Sequence, residues 1–397
     1  MYPHPELNSY LQGFGVNFPK KVLNRAIDRA MHEKGAACGE SKSQIIRQRR
    51  LVTNQPRFYA PHVDVTRANC AYRQLALPKL MKDLSSEDRL TVRQAVTTLA
   101  DLVVDPETLI RALEVDILER LADVLSSSDP YLREHGLLIC ATMANQAAGR
   151  DAIRQNLQLM ANLAKCVGDR LAAVRLQAAV TLENLSYDYT GDCPPHDQLV
   201  AYGFVKLLTE RLAEEKRDVL QVRHLSTMRL LLLRSTCKSE AIEVGTFDRL
   251  TDLLHRRRDR QVLLDTLSCL TVLCEDRQAK IKALCLHDRL KCLLNDEDEC
   301  INAGAARLAS FISITTPGKQ RLLDLMPVLL RMLSRPKISR GLLLPVIKTL
   351  TNLSEVPQGR RTMRACDATV ANIDVAEDDD VLNQHKRRLL DVIRWEP

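Results

Sequence analysis

A hydrophobic pair spaced i, i+3 recurs eight times along the chain, and its period constrains the fold more than any other feature. The pairs are Leu99/Leu102, Cys140/Met143, Leu182/Leu185, Met228/Leu231, Leu270/Leu273, Leu308/Phe311, Leu350/Leu353 and Leu390/Ile393. Their first members are separated by 41, 42, 46, 42, 38, 42 and 40 residues. A fixed period in this range is the signature of stacked helical repeats, in which each unit packs only on its neighbours. Such a stack exposes a long surface and rarely houses chemistry, so the period points to binding and scaffolding.

A second, shorter signal precedes each pair by about twenty residues. It runs over residues 77–84, 118–125, 247–254, 287–294 and 325–330, with apolar side chains at i, i+3, i+4 and i+7 as on one buried helix face. Polar turns follow at residues 85–88, 126–130 and 295–299, rich in helix-capping Ser, Asp and Asn. A further short helix opens some units, as at residues 149–153. A short helix, a middle helix, a polar turn and a long anchor helix make the armadillo arrangement, favoured over the two-helix HEAT unit. The expected fold is an all-α, right-handed armadillo-type solenoid of about eight repeats over residues 76–397, preceded by a basic extension, residues 1–75.

That extension is interrupted by Pro3, Pro5, Pro19, Pro56 and Pro61 and loosened by several glycines. Helices are expected over residues 20–33 and 43–51, with extended chain over 53–63. Residues 1–75 hold twelve Lys/Arg against five Asp/Glu, which accounts for the whole net charge of +7. The extension is therefore expected to order on an acidic partner surface, while the solenoid is electrically balanced. Aromatic residues make up 4% of the chain, which suits helix-on-helix packing better than a β-sandwich. No apolar run reaches the roughly 18 residues that span a bilayer, and the opening residues lack a secretory pattern, so no membrane role and an intracellular location are expected. The twelve cysteines form no CxxC pair. Five of them fall between residues 269 and 300 beside His287, without the short paired spacing of structural zinc sites. They read as small hydrophobes or surface thiols, with zinc or redox chemistry as the alternative.

If the anchor pairs point into the core, the residue between their members faces outward along the long helices. The chain offers Asp101, Thr142, Asn184, Leu230, Val272, Ser310, Asn352 and Val392 there. Peptide-binding armadillo proteins keep a ladder of Asn at this position, because an amide both donates to and accepts from a peptide backbone. Only Asn184 and Asn352 remain, and they are read either as peptide contacts or as hydrogen bonds between repeats. A single Trp, Trp395, leaves no array to stack on lysine stems, which argues against import of basic peptides. Arg256, Arg257 and Arg258 could meet a phosphate or an acidic partner, or simply fill a solvated turn. Arg47, Arg49 and Arg50 could meet nucleic acid or an acidic protein surface. One neighbouring aromatic pair, Phe58 and Tyr59, is too little for a nucleic-acid stacking platform. No phosphate-binding loop, dinucleotide fingerprint, nucleophile elbow or zincin motif is present, so no catalytic residue, metal, cofactor or small-molecule substrate is expected.

Three stretches resemble a known family. Residues 89–107 look like the first repeat of the armadillo subunit of the ciliary radial spoke, the radial spoke head protein fourteen or rhabdoid tumour deletion region family. Residues 351–361 are similar to its penultimate repeat, and residues 392–397 to its short Trp-Pro terminus. This resemblance implies a structural subunit of the axoneme that bridges other spoke proteins in cilia and flagella. Its basic extension would then meet acidic neighbours such as tubulin. The reading from residues alone also admits a soluble armadillo adaptor that binds extended peptides in transport or signalling.

Overall fold

The computed structural model describes residues 76–187, 199, 201–256, 259–335, 337–373, 375–376 and 379–395, together with Arg25, Ala26, Arg29 and Ala71. The chain divides into two compact units, Met1–Val65 and Thr66–Pro397. The expected N-terminal helices and extended segment, and with them Arg47, Arg49 and Arg50, lie outside the described residues, apart from three helical positions at Arg25, Ala26 and Arg29.

The second unit is a succession of helices with no strand among the described residues. Eight long helices carry the eight hydrophobic pairs: Arg89–Leu102, Pro130–Met143, Ala172–Ser186, Asp218–Leu231, Arg260–Leu273, Glu299–Ile312, Arg340–Ser354 and Asp380–Arg394. Each packs against the next in an unbroken series. The middle helices Ala76–Leu84, Ile117–Ser126, Leu157–Val167, Phe204–Glu214, Thr246–Arg256, His287–Leu294 and Met326–Leu333 form a second layer and feed the same core. Short opening helices such as Pro106–Glu114, Ala147–Gln155 and Pro357–Arg364 complete the three-helix units.

The anchor pairs sit where their periodicity places them. Leu182, Leu185, Leu270, Leu273, Leu350 and Leu353 are fully enclosed. Three pairs depart from the expected spacing. Leu102 and Phe311 are only partly buried, while Val103 and Ile312 beside them are fully enclosed; in the eighth long helix the enclosed residues are Leu389 and Ile393, with Leu390 half-buried. An i, i+4 pair lies on the same helix face as an i, i+3 pair, so the stripe slips by one residue without leaving the core.

The polar turns start the long helices. Asp88, Asp129, Asp259, Asp298 and Asp379 are N-caps whose carboxylates accept backbone N–H bonds from the first turn. Several of these carboxylates are also held by an arginine from the start of the preceding long helix. Asp129 accepts from Arg89 (2.8 Å) and from Arg93 (2.9 and 3.0 Å). Arg133 binds Asp169 and Arg175 binds Glu215, both at 2.8 Å. Arg260–Asp298 and Arg340–Asp379 repeat the pairing. The hydrogen bonds from Arg89 and Arg93 hold the buried Asp129 carboxyl down at about 2. Screening around the exposed Arg89 trims the nominal gain, which leaves about 1–2 kcal/mol for this rung. A depressed carboxylate stabilises above its unfolded pKa, so the contribution is present above pH 4 and lost as the pH falls through 2.

Glycine sets the approach of three opening helices, in the third, seventh and eighth units, to the long helices before them. A Cβ at Gly149, Gly318 or Gly359 would collide with the carbonyl oxygen of Met143, Ile312 or Leu353. These helical glycines are required by close packing, at a propensity cost of about 1 kcal/mol each against Ala.

Candidate functional site

The residues between the anchor pairs line the outward side of the long helices unevenly. Asp101 is exposed, Thr142, Asn184, Val272, Asn352 and Val392 are half-buried, and Leu230 and Ser310 are buried. Asn184 and Asn352 both turn their amide donors onto the preceding repeat. Asn184 Nδ2 donates to the Ala141 carbonyl at 3.0 Å and to Asn145 Oδ1 at 3.1 Å. Asn352 Nδ2 donates to the Ser310 carbonyl at 3.1 Å and to Ser313 Oγ at 3.0 Å. The two carbonyls belong to the last turns of their helices, where backbone donors run out, and that of Ser310 also accepts from Ser313 Oγ at 3.1 Å. Each asparagine is thus a tie between repeats, and each leaves its Oδ1 to accept a bond from outside.

Arg256 is the last residue of its middle helix, exposed, and 3.7 Å from Asp252 one turn earlier. Arg257 and Arg258 lie outside the described residues. Arg256 therefore belongs to the second layer of the fifth unit, apart from the long helices that carry Asn184 and Asn352.

Burial explains the thiols. Cys140, Cys166, Cys237, Cys269 and Cys274 are enclosed, and Cys285, Cys292 and Cys300 are exposed. Desolvation pushes the thiols of Cys140 and Cys274 up to about 12 and that of Cys166 to about 11, which suppresses the reactive thiolate. His287 is committed to carboxylates, with Nε2 2.6 Å from Asp324 and Nδ1 2.9 Å from Asp288. It bridges two repeats. No cluster of three His, Cys, Asp or Glu side chains with metal-binding geometry occurs among the described residues.

Two polar sites escaped the sequence reading. In the fourth repeat His224 is 1% exposed, and neither ring nitrogen has a hydrogen-bond partner; Arg211 Nε and Gln221 Oε1 are orphaned as well. Desolvation drives the His224 imidazole down to about 4, against a smaller upward pull from Glu215. The second site is a cleft of about 370 Å³ spanning the last three long helices. It is lined by Phe311 and Ile314 from the end of the sixth long helix and its turn, by Lys348 and Asn352 from the seventh, and by His385 and Arg388 from the eighth. Lys348 precedes Asn352 by one helical turn, and Arg388 follows Lys348 by 40 residues, one repeat later. The repeat period could have revealed this pair; nothing in the sequence distinguishes His224 from a surface histidine.

No protein-family model matches the chain. Solved structures do. An engineered protein from a structural genomics consortium matches with a TM-score of 0.60 at 16% identity, covering 81% of this chain and 89% of its own length. A designed armadillo repeat protein in complex with the peptide (KR)4 matches at TM-score 0.53 and 16% identity, over 59% of this chain and 99% of that one. Computationally designed armadillo repeat proteins for modular peptide recognition match with the same figures. At such identities the likeness concerns the fold, and it agrees with the three-helix units and the stacked long helices: the chain is an all-α armadillo-repeat solenoid.

Proposed function

We propose that this protein is a non-enzymatic scaffold subunit of the axonemal radial spoke, which holds segments of other spoke proteins against its stacked long helices. The observation that carries the scaffold part is the unbroken series of eight long helices, whose interactions are spent on tying repeat to repeat. Arg–carboxylate rungs, asparagine ties and the His287 bridge all cross repeat boundaries. The axonemal part is supported by the resemblance of residues 89–107, 351–361 and 392–397 to the spoke family. Residues 351–361 span the end of the seventh long helix and the start of the helix Pro357–Arg364. Arg360 stacks on the Trp395 ring at 4.5 Å, and Arg364 donates to the carbonyls of Ile393 and Trp395, so two of the three stretches support each other across the last repeat. On this reading residues 1–75 meet acidic axonemal surfaces such as tubulin, with no nucleic acid, membrane or small-molecule substrate involved.

The test is localisation of the tagged protein, followed by detergent and salt extraction of isolated cilia. Retention in the axonemal pellet with other spoke proteins is the expected result, and recovery only in soluble cytosol overturns the reading. A second reading, a soluble adaptor for extended peptides, is favoured by the cleft between Phe311 and Arg388. A designed armadillo repeat protein of similar fold is in complex with the peptide (KR)4, which supports peptide capture as a use of such a stack. Cytosolic recovery together with a peptide ligand lost on Asn352→Ala would favour it.

A further inference from the structure

Lys348 and Arg388 occupy equivalent positions on the seventh and eighth long helices, one turn before the residue between the anchor pair. Neither makes an ion pair or hydrogen bond with another described residue. This sets them apart from Arg93, Arg133, Arg175, Arg260 and Arg340, each of which holds a carboxylate. The acid that lines the cleft, Glu355, is already engaged by Lys319. The two cations therefore face a half-enclosed space with an unmatched positive charge. Burial lowers the pKa of His385, and the nearby charges of Lys348 and Arg388 lower it further, as expected where like charges converge without a counter-ion.

We propose that this cleft captures an acidic peptide segment of a partner protein, with carboxylates on Lys348 and Arg388 and an apolar side chain on Phe311 and Ile314. The inference rests on the reading that the long helices present the binding face. Neighbouring helices lie about 8–10 Å apart, which an extended chain crosses in about two to three residues. Asp or Glu at that spacing would meet both cations in turn. Asn352 Oδ1, whose amide donors are taken by Ser310 and Ser313, is left to accept a peptide N–H. Ile314 is 52% exposed and Phe311 half-buried, an apolar wall beside the charges. A basic peptide would add like charge to the cleft. A nucleic acid would need a run of phosphate contacts and several stacking rings, whereas Phe311 and His385 are the only rings among the described residues that line the cleft.

Fluorescence anisotropy on the full-length chain tests this with labelled (Glu-Ser-Leu)3, its (Gln-Ser-Leu)3 analogue, (KR)4 and an oligothymidylate. The acidic peptide is expected to bind at least about tenfold more tightly than the other peptides, and to weaken as salt is raised. The double variant Lys348→Ala with Arg388→Ala should lose at least about tenfold while its melting transition stays in place, and Arg256→Ala should bind normally. Lys348→Glu with Arg388→Glu should transfer the preference to (KR)4. Equal binding of the Gln analogue, wild-type affinity in the double variant, or tighter capture of the oligonucleotide overturns the proposal. If the acidic peptide fails while the protein stays in the axonemal pellet, the cleft assignment falls and the scaffold reading stands. If the peptide binds and the protein is cytosolic, the axonemal reading falls alone.

Discussion

Asn184 in the third repeat and Asn352 in the seventh make the same two kinds of hydrogen bond to the repeat before them, yet the charges beside them are handled in opposite ways. Next to Asn184, the buried Glu183 accepts from Arg223 at 2.8 Å and from Ser226 at 2.7 Å, so the charge is consumed within the stack. One turn before Asn184 stands Val180, and the equivalent residue of the fourth repeat is Ser226. At the corresponding places around Asn352 stand Lys348 and Arg388, both unpaired among the described residues. The comparison teaches that the tie between repeats is a property of the fold, whereas the chemistry offered outward is decided by one residue a helical turn away.

The largest effect should come from breaking what the two regions share. Leu182→Asp and Leu350→Asp each put a carboxylate at a fully enclosed position, which costs about 4 kcal/mol or more. Both variants should lose their cooperative melting transition by circular dichroism, and unchanged melting in either would show that the anchor pair is not the core. The next effect belongs to the middle region alone. His224 is held neutral by burial, with a folded pKa of about 4 against about 6.5 unfolded, and Glu215, Arg175 and Arg211 are the charges around it. The unfolded chain binds the proton first, so stability should fall from pH 6.5 to 4 by up to about 3 kcal/mol. Urea titrations across that range should show the loss, and His224→Leu should flatten it; an equally steep slope in the variant would trace the acid sensitivity to another group.

A smaller change should follow removal of the shared rungs. Asn184→Ala leaves the Ala141 carbonyl without its donor, Asn352→Ala leaves the Ser310 carbonyl to Ser313 Oγ alone, and each should cost about 1–3 kcal/mol in chemical unfolding. Similar losses would place both residues in the stack; a loss confined to one would show that the two rungs are unequal. The smallest effect on stability is expected for Lys348→Ala and Arg388→Ala, within about 0.5 kcal/mol of wild type, as at ordinary surface positions. Removing these cations should instead raise the pKa of His385, which an NMR titration of its ring protons would detect.

The period of the hydrophobic pairs was enough to place all eight long helices, because one buried face per helix is what a repeat stack requires. The slip at Leu390, where Leu389 is the enclosed neighbour, was not legible, since i+3 and i+4 positions serve one face equally well. Asp88, Asp129 and Asp298 were readable as caps from the polar turns, but their arginine partners were not: an Arg in a first turn looks like any solvated charge until its neighbour repeat is in place. Of the candidate binding residues, Asn184 and Asn352 were found through the period, and the same logic extended by one turn would have found Lys348 and Arg388. His224 was beyond reach, because burial without a partner leaves no mark on sequence.

The double duty of the cap carboxylates makes the seams of this solenoid directional. Asp379 begins the eighth long helix and also neutralises Arg340 of the seventh, as Asp298 does for Arg260. A fragment ended just before such an aspartate would shed a helix start and, at the same stroke, strip a counter-ion from the unit it retains. A fragment ended one turn later would keep both. Modules lifted from this protein for grafting or shortening should therefore be cut downstream of the turn, so that each piece carries the acid of its missing neighbour as its own terminal seal.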